Sequence, residues 1–345
     1  MRIGLITYHH SVNYGAMLQC YATVRALQQL GHQVELINVR QEEGRSNFPV
    51  FYFKLKALKR FRQRYYPLET EEFHTIEELQ SSNLDYDCLV VGSDQVWNPD
   101  ISKDKCIVYF LDFGGEKIKR VSYASSFGLT EWPEGKMNLL PKIKRALSRF
   151  DAISVRESDG VKLLSEVFGL DGKVVVDPTM LHDNYNEITG PIANNGKVVA
   201  YLLNRTPDQL KKTRDLAKQY GQRPLMISTI RPYRGFKYVY PPSIEQWIKY
   251  IGGASLVVTD SFHGLVFSVL YKRNFVVITP ENGRNSRLKN LMQTLGLMDR
   301  YYNDMDDIDY KRFARENVDY DKVMVILDKQ RSLSWSFLKD SLCRM

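Results

Sequence analysis

"VVTDSFHGLVFSVL", residues 257–270, joins two hydrophobic patterns through a short polar corner. The apolar, β-branched residues before the corner are typical of a buried strand, and the apolar residues after it fit a helix. Ser261 or Asp260 would cap that helix, and His263 and Gly264 would lie in its first turn. The stretch therefore predicts a strand followed directly by a helix, which is the repeating unit of a parallel α/β sheet.

Similar strand and helix patterns recur along the chain in two series. A polar, proline-containing stretch at 177–196 separates the series and is typical of a linker between domains. We expect an α/β protein of two doubly wound domains with a cleft between them, the first over 1–180 and the second over 181–320. A helical tail at 321–345 would pack back on the first domain. The predicted strands are 2–7, 33–38, 88–91, 120–124, 152–155, 174–176, 198–203, 225–228, 255–258 and 275–278.

The composition narrows the range of partners. The 48 basic and 40 acidic residues give a net charge of +8, which suits nucleic acid, an anionic membrane surface or an acidic small substrate. Nucleic acid is not expected, because zinc-finger spacing and an aromatic RNA-binding motif are both missing. The cysteines form no CxxC pair and the histidines lack ligand spacing, so we expect no metal site. Without a signal peptide or a long apolar run, a cytoplasmic protein is expected.

One segment, 50–66, is both basic and aromatic. Its six cations, with no acidic residue among them, alternate with aromatic and aliphatic residues in a helix-compatible pattern. Such a helix can lie at the inner face of an anionic membrane, which would make the protein peripheral there. Alternatively, its aromatic face packs on its own domain and the cations are solvated. The cations are Lys54, Lys56, Lys59, Arg60, Arg62 and Arg64.

Ligands of open parallel sheets bind beyond the carboxyl ends of the strands, so the corners after the strands carry the functional signal. None of them contains a GxGxxG or P-loop motif, so a dinucleotide or P-loop nucleotide site is not predicted. The corners and nearby segments read "NYGAMLQ", "VVGSDQVWNP", "YASSFG", "SVRESDG", "VVDPT", "PPSIEQWI", "VVTDSFHGLVFSVLYKRNFVV" and "NSRLKNLMQTLGL". In this order, over nearly the whole chain, they resemble the polysaccharide pyruvyl transferase family.

That resemblance implies a GT-B-like fold, in which two Rossmann-like domains with parallel sheets face a central cleft. It also implies transfer of the pyruvyl group of phosphoenolpyruvate to two hydroxyls of a sugar, which forms a cyclic ketal and releases phosphate. The acceptor would be a surface polysaccharide, such as an exopolysaccharide or capsule, or its lipid-linked precursor. Phosphoenolpyruvate would be a co-substrate, and no further cofactor is implied.

The donor site implied by the resemblance lies mainly in the second domain. His263 would protonate the enol methylene group as a general acid, since histidine is the residue type that most often transfers protons near neutral pH. Arg156 would bind the donor anion or would instead form a local salt bridge with Glu157. Relatives often carry an arginine where this chain has Ser261, so another arginine would have to replace it. The predicted donor-binding residues are Arg156, Ser261, Gly264, Arg231, Arg284 and Arg287.

The acceptor side is predicted in the first domain, where carboxamides and carboxylates can pair with sugar hydroxyls and an indole can stack on a sugar face. The same residue types also cap turns after strands. Two other functions share these features, a GT-B glycosyltransferase that uses a nucleotide sugar and a non-catalytic saccharide-binding protein. The predicted acceptor-binding residues are Asn13, Tyr14, Asp94, Gln95, Trp97 and Asn98.

Overall fold

The structure is a computed structural model that describes residues 1–40, 49–227, 232–281 and 285–343. The chain divides into two compact units. Unit 1 comprises the described residues of 1–40, 65–182 and 328–343, and unit 2 comprises those of 49–64 and 183–327. The boundary near 180 thus lies at 182/183, the tail joins unit 1 from 328 rather than 321, and 49–64 groups with unit 2.

Unit 1 is built on a six-stranded sheet in the order β2-β1-β3-β4-β5-β6. Every neighbouring pair is parallel, with Ile3 opposite Cys88 and Val90 opposite Val121 as examples of the register. Such a sheet needs helices on both faces, because neither face is exposed to water. Its strands are β1 (Arg2–Ile6), β2 (Gln33–Leu36), β3 (Cys88–Val91), β4 (Lys119–Ser125), β5 (Ala152–Val155) and β6 (Lys173–Val174).

Alternate residues of β3 enter different cores, as the period of a strand requires. Cys88 and Val90 join a cluster that also contains side chains from the first and last helices, whereas Leu89 and Val91 join a cluster rich in aromatic rings. The helices of this unit are α1 (Tyr14–Gln29), α3 (Ile76–Ser81), α4 (Pro99–Ser102), α5 (Leu140–Leu147) and α6 (Ser158–Leu163).

The last helix, α13 (Tyr320–Leu342), contributes its residues from 328 onward to unit 1. Ser334 Oγ accepts a hydrogen bond from Val176 N at 3.0 Å, and Arg331 Nε donates to Met180 O at 2.6 Å. The Phe337 side chain is buried in the same core cluster as Tyr123 of β4. The helix therefore completes the covering of the unit 1 sheet.

Unit 2 repeats the design with a sheet in the order β12-β11-β10-β7-β8-β9, again with every pair parallel. β9 and β12 were not predicted, because these three-residue strands lack a buried apolar run. The strands are β7 (Val198–Tyr201), β8 (Leu225–Ile227), β9 (Lys237–Val239), β10 (Leu256–Thr259), β11 (Asn274–Thr279) and β12 (Tyr301–Asn303). The helices are α7 (Asn186–Thr189), α8 (Pro207–Gln219), α9 (Ile244–Gly252), α10 (Phe262–Leu270), α11 (Ser286–Thr294) and α12 (Arg312–Arg315).

The basic segment forms α2 (Pro49–Tyr65), most of which belongs to unit 2. Leu58 and Phe61 are buried, while Tyr52 and Phe53 are more than half exposed. The helix therefore has one face packed against the protein and one face that carries cations and two exposed rings. None of the helices in the described ranges combines the length and the apolar composition that crossing a bilayer requires.

Candidate active site

The corner between β10 and α10 is built by short hydrogen bonds from its own side chains. Thr259 Oγ1 donates to Tyr201 O of β7 at 2.7 Å and accepts from Ser261 N at 3.0 Å. Ser261 is the N-cap of α10, since its hydroxyl accepts from Gly264 N at 3.3 Å. The hydroxyls of Thr259 and Ser261 therefore fix the backbone that presents the first turn of α10.

Asp260 ties this corner to the loop after β7. Its carboxylate accepts hydrogen bonds from Leu203 N at 2.6 Å, Asn204 N at 3.0 Å and Asn204 Nδ2 at 2.8 Å. Gln209 Nε2 donates to the same group at 3.2 Å. Of the two predicted caps, Ser261 thus has that role, and Asp260 joins the ends of the neighbouring strands β7 and β10.

His263 lies in the first turn of α10, as predicted, and only 7% of it is exposed. Its ring contacts the edge of Phe262, with the ring centroids 5.2 Å apart. The first turn contains no acidic residue, and the nearest carboxylate, Asp260, is bound to the loop after β7. An anion bound at this turn would meet backbone N–H groups and one imidazole.

Gly264 has a packing role that the sequence did not reveal. A Cβ atom at this position would stand 2.3 Å from Thr259 Oγ1, closer than any non-bonded contact permits. The glycine therefore lets α10 pack against the end of β10. Its predicted contact with the donor stays a prediction.

Several cations lie on the described part of unit 2. Arg287 occupies the first turn of α11 and is partly exposed, whereas the predicted Arg231 and Arg284 lie outside the described residues. Two further cations, Arg205, which follows β7 with a φ of 59°, and Lys54 of α2, were not among the predicted donor-binding residues. Burial lowers the pKa of Lys54 to about 8, and the positive charge of Arg205 adds to that effect. These two cations are therefore near enough to interact.

The sequence contained a signal for Arg205. It stands in "LLNRTPD" directly after a strand, in the position relative to β7 that the histidine corner has relative to β10. The Asp260 carboxylate binds the backbone N–H groups of Leu203 and Asn204, which precede Arg205. The backbone of Arg205 therefore lies next to the histidine corner. Lys54 could not be found in this way, because it comes from a helix far away in sequence.

In unit 1, the corner after β1 is organised by Asn13. Its side chain caps α1 by accepting from Gly15 N at 2.8 Å and Ala16 N at 3.4 Å, and the residue is exposed. Tyr14 is only 1% exposed, which corrects the prediction that it contacts the acceptor.

The corner after β3 also differs from the prediction. Trp97 is fully buried, its indole N–H donates to Tyr109 O at 2.8 Å, and its ring stacks on Phe110 with the centroids 5.2 Å apart. It therefore cannot stack on a sugar, because a large aromatic side chain gains most by joining the core. Asn98 is likewise buried and caps α4 through Asp100 N. Both acceptor predictions are corrected.

Asp94 and Gln95 remain accessible at the same corner. The Asp94 side chain is 16% exposed, and its backbone has a φ of 74°, which is uncommon for a residue with a side chain. Its carboxylate accepts from Gln95 N at 2.9 Å and lies 3.7 Å from the Arg156 guanidinium. Strained backbone of this kind persists where the surrounding structure holds it and is often found at functional positions.

Arg156 forms ion pairs within unit 1, including the one with Glu157 that was its alternative prediction. Its side chain is 2% exposed and lies 2.8 Å from Asp177 Oδ2, 3.7 Å from Asp94 Oδ1 and 3.7 Å from Glu157 Oε2. Burial opposes the charged guanidinium, but the carboxylates of Asp177, Asp94 and Glu157 raise its pKa above the ordinary value. Three negative charges around one positive charge disfavour a further anion beside it, and donor binding by Arg156 stays a prediction.

The comparison with known families now identifies the chain. The sequence profile of the family described as polysaccharide pyruvyl transferase matches residues 13–282, which is well over half of the sequence. The chain belongs to the polysaccharide pyruvyl transferase family. The match includes the corners after β3, β5 and β10, and with them His263. A comparison with curated protein sequences finds no significant match.

Solved structures establish the fold of this pyruvyl transferase family member. AviGT4, a glycosyltransferase involved in avilamycin A biosynthesis, superposes with a TM-score of 0.53 at 11% identity and covers 99% of this chain and 97% of its own. An alpha-glucosyltransferase in complex with UDP and DNA gives a TM-score of 0.51 at 10% identity, and the match covers 98% of this chain and 95% of the glucosyltransferase. UDP-GlcNAc 2-epimerase from Neisseria meningitidis gives a TM-score of 0.51 at 10% identity, and the match covers 95% of this chain and 99% of the epimerase. The pyruvyl transferase chain therefore has a GT-B-like fold.

Proposed function

We propose that this transferase moves the pyruvyl group of phosphoenolpyruvate to a sugar of a surface polysaccharide or its lipid-linked precursor, and that it forms a cyclic ketal. The family supplies the reaction class. The observation that supports a site for phosphoenolpyruvate is the position of His263 in the first turn of α10. Hydrogen bonds of Asp260 join this corner to the loop that contains Arg205. A phosphate and a carboxylate need such a combination of cations, helix N–H groups and one acid.

His263 would donate its proton to the methylene carbon of phosphoenolpyruvate. The adjacent carbon then becomes cationic and accepts the first sugar hydroxyl oxygen, whose proton leaves. Breaking the bond from that carbon to the phosphate oxygen releases phosphate, and the second hydroxyl closes the ketal ring. One of the two hydroxyl protons returns to the imidazole, and the other leaves with the phosphate. The reaction therefore needs no oxidant.

The donor anion would be bound by the cations of unit 2. Arg205, Lys54 and Arg287 are described there, and the guanidinium groups can hold phosphate or carboxylate oxygens in pairs. Arg205 follows the strand next to the histidine strand, which makes it our candidate for the arginine that relatives carry at the position of Ser261. Ser261 itself would keep its capping role and position the histidine turn.

The acceptor would be oriented in unit 1 by Asp94, Gln95 and Asn13. Asp94 is a partly exposed carboxylate beside a buried guanidinium, so its oxygens are oriented and can accept from a sugar hydroxyl. Gln95 and Asn13 are the other predicted acceptor residues with exposed surface. A carboxylate that orients a hydroxyl lowers the entropic barrier to its attack.

The exposed face of α2 would hold the protein against an anionic membrane, where a lipid-linked acceptor would reside. Lys56, Lys59 and Arg60 are exposed together with Tyr52 and Phe53, whereas Leu58 and Phe61 face the protein. Cations and interfacial aromatic rings on one helix face suit the headgroup region of such a membrane.

The test is a phosphate-release assay with phosphoenolpyruvate and a panel of galactose-, mannose- and glucose-terminated acceptors, in which mass spectrometry detects the ketal. We expect equal amounts of phosphate and ketal with at least one acceptor. Binding of uridine or guanosine diphosphate without any response to phosphoenolpyruvate would favour the nucleotide-sugar glycosyltransferase instead. Acceptor binding without phosphate release from any donor would indicate a non-catalytic saccharide-binding protein.

A further inference from the structure

Two adjacent histidines and a glutamate converge at the carboxyl end of β1, outside the residues used above. The potential ligand atoms of His9, His10 and Glu69 all lie within 4.8 Å of one another. Within the described ranges, these three form the only group of at least three histidine, cysteine or carboxylate side chains gathered this closely. From this geometry we infer a binding site for one divalent cation of the zinc class, held by two imidazoles and one carboxylate.

The tautomer of His9 suits metal binding. Its Nδ1 lies 3.0 Å from Thr7 O, and a carbonyl oxygen only accepts, so this contact places the ring proton on Nδ1. The Nε2 atom then carries the lone pair that a metal needs. Ring N–H donation to a backbone carbonyl is the arrangement that orients most metal-binding histidines.

The other two ligands have a compatible separation. His10 Nε2 lies 3.1 Å from Glu69 Oε2. Two ligand atoms at about 2.0 Å from a tetrahedral zinc ion are about 3.3 Å apart, so a shared cation requires only a small movement of either side chain. The ring centroids of His9 and His10 are 4.4 Å apart with an interplanar angle of 70°, so the two imidazoles lie side by side at this corner.

The backbone holds the glutamate in register with the histidine strand. Glu69 pairs with Leu36 in a parallel bridge beside β2, supported by Leu36 N to Leu68 O and Thr70 N to Leu36 O hydrogen bonds of 2.9 Å. Because β2 pairs with β1, the segment that carries Glu69 is fixed relative to His9 and His10. The ligands thus converge without requiring a loop to rearrange.

The site is also accessible and chemically selective. The side chains of His10 and Glu69 are 21% and 26% exposed, whereas His9 is 1% exposed, so a cation can enter from one side. Two imidazoles and one carboxylate suit zinc, cobalt or nickel rather than magnesium or calcium, which prefer oxygen ligands. Three protein ligands leave a fourth position of a tetrahedral ion for water.

The experiment uses the full chain after dialysis against a chelator and then zinc titration by calorimetry. We expect one equivalent of zinc per chain in the parent, and at least about 10-fold weaker binding in His10→Ala and in Glu69→Gln, since loss of a ligand costs no less than loss of a second-shell partner. The control is His74→Ala. His74 Nε2 and Glu72 Oε1 form a similar exposed pair at 3.6 Å that is not part of the His9 group.

Cobalt supplies a readout that needs no variant. Cobalt held by three protein ligands should give the parent a visible absorption band, and zinc should abolish that band by displacement. Failure of the dialysed parent to take up zinc or to show the cobalt band would overturn the inference. So would parent-like zinc affinity in folded His10→Ala and Glu69→Gln, or an equal loss in His74→Ala. Because every readout is metal binding, the outcome is independent of whether pyruvyl transfer is the reaction.

Discussion

At the scale of single residues, Arg156 is the clearest case of a charged side chain used to hold the fold. It is buried among Asp177, Asp94 and Glu157, so its removal would leave three carboxylates without their shared cation. We predict that Arg156→Ala lowers the free energy of unfolding by about 3–5 kcal/mol, measured by urea denaturation.

The matched control for Arg156 is Arg145→Ala. Arg145 pairs with Asp112 at 3.2 Å, but its side chain is 69% exposed, so its loss should cost about 0–1 kcal/mol. Equal losses in the two variants would contradict the structural role assigned to Arg156.

The lowered pKa of Lys54 predicts a pH dependence of donor binding. As the pH rises through about 8, Lys54 loses its charge and attracts the donor anion less, so the KM for phosphoenolpyruvate should rise. Lys54→Arg should flatten this rise, because a guanidinium keeps its charge. Steady-state kinetics from about pH 6 to about pH 9, which brackets the lowered pKa of Lys54 of about 8, measure both profiles. Superimposable profiles would exclude Lys54 from the donor site.

Residue roles were the least predictable feature of the sequence. His263 and Ser261 could be placed because a strand–helix corner fixes their positions within one local segment. Trp97 could not, since an indole after a strand serves equally well in a core or on a sugar, and only the neighbouring Phe110 and Tyr109 decide. Of the partners of Arg156, only the adjacent Glu157 could be expected, because Asp94 and Asp177 follow other strands that local patterns do not bring together.

At the scale of elements, the packing of α10 on β10 depends on a missing side chain. A methyl group at position 264 would overlap Thr259 Oγ1, so we predict that Gly264→Ala destabilises the protein by about 1–3 kcal/mol, measured by urea denaturation. Gly115→Ala is the control, because a Cβ there meets no atom within 4 Å. A Gly264→Ala protein as stable as the control would show that the corner is not tightly packed.

The amphipathic helix α2 predicts membrane binding. We expect the protein to sediment with liposomes that contain anionic lipid and not with neutral ones, and we expect Lys56→Glu combined with Lys59→Glu to abolish the effect. Lys142→Glu combined with Lys144→Glu on α5 is the control, since these lysines are also exposed on a helix. Equal sedimentation of both double variants would reject α2 as the contact surface.

Most elements were predictable because parallel strands that are buried on both faces form uninterrupted apolar runs. β3 and β7 are four-residue strands of this kind, and both were expected. β9 carries the exposed Lys237 and Tyr238 and pairs only at the edge of its sheet, so its conformation depends on β8 rather than on its own sequence. The hydrophobic pattern of β9 alone therefore does not predict a strand.

At the scale of the whole molecule, the α/β prediction of GT-B type and the family resemblance are both confirmed. Neither unit is formed by one continuous segment of the chain. Residues 49–64 belong to unit 2, and the end of α13 belongs to unit 1. Apolar residues that recur every three to four positions reveal that a segment is a helix but not which sheet it covers. For that reason Lys54 was assigned to a surface segment rather than to the surroundings of Arg205.

The central claim is that one imidazole protonates an enol phosphate. The most direct measurement compares phosphate release from phosphoenolpyruvate, in the presence of a sugar acceptor, between the parent and His263→Gln. The account predicts that kcat falls by about 100-fold or more, as expected for loss of a general acid, while calorimetric affinity for phosphoenolpyruvate changes little. A His263→Gln protein that releases phosphate within a few-fold of the parent rate would contradict it.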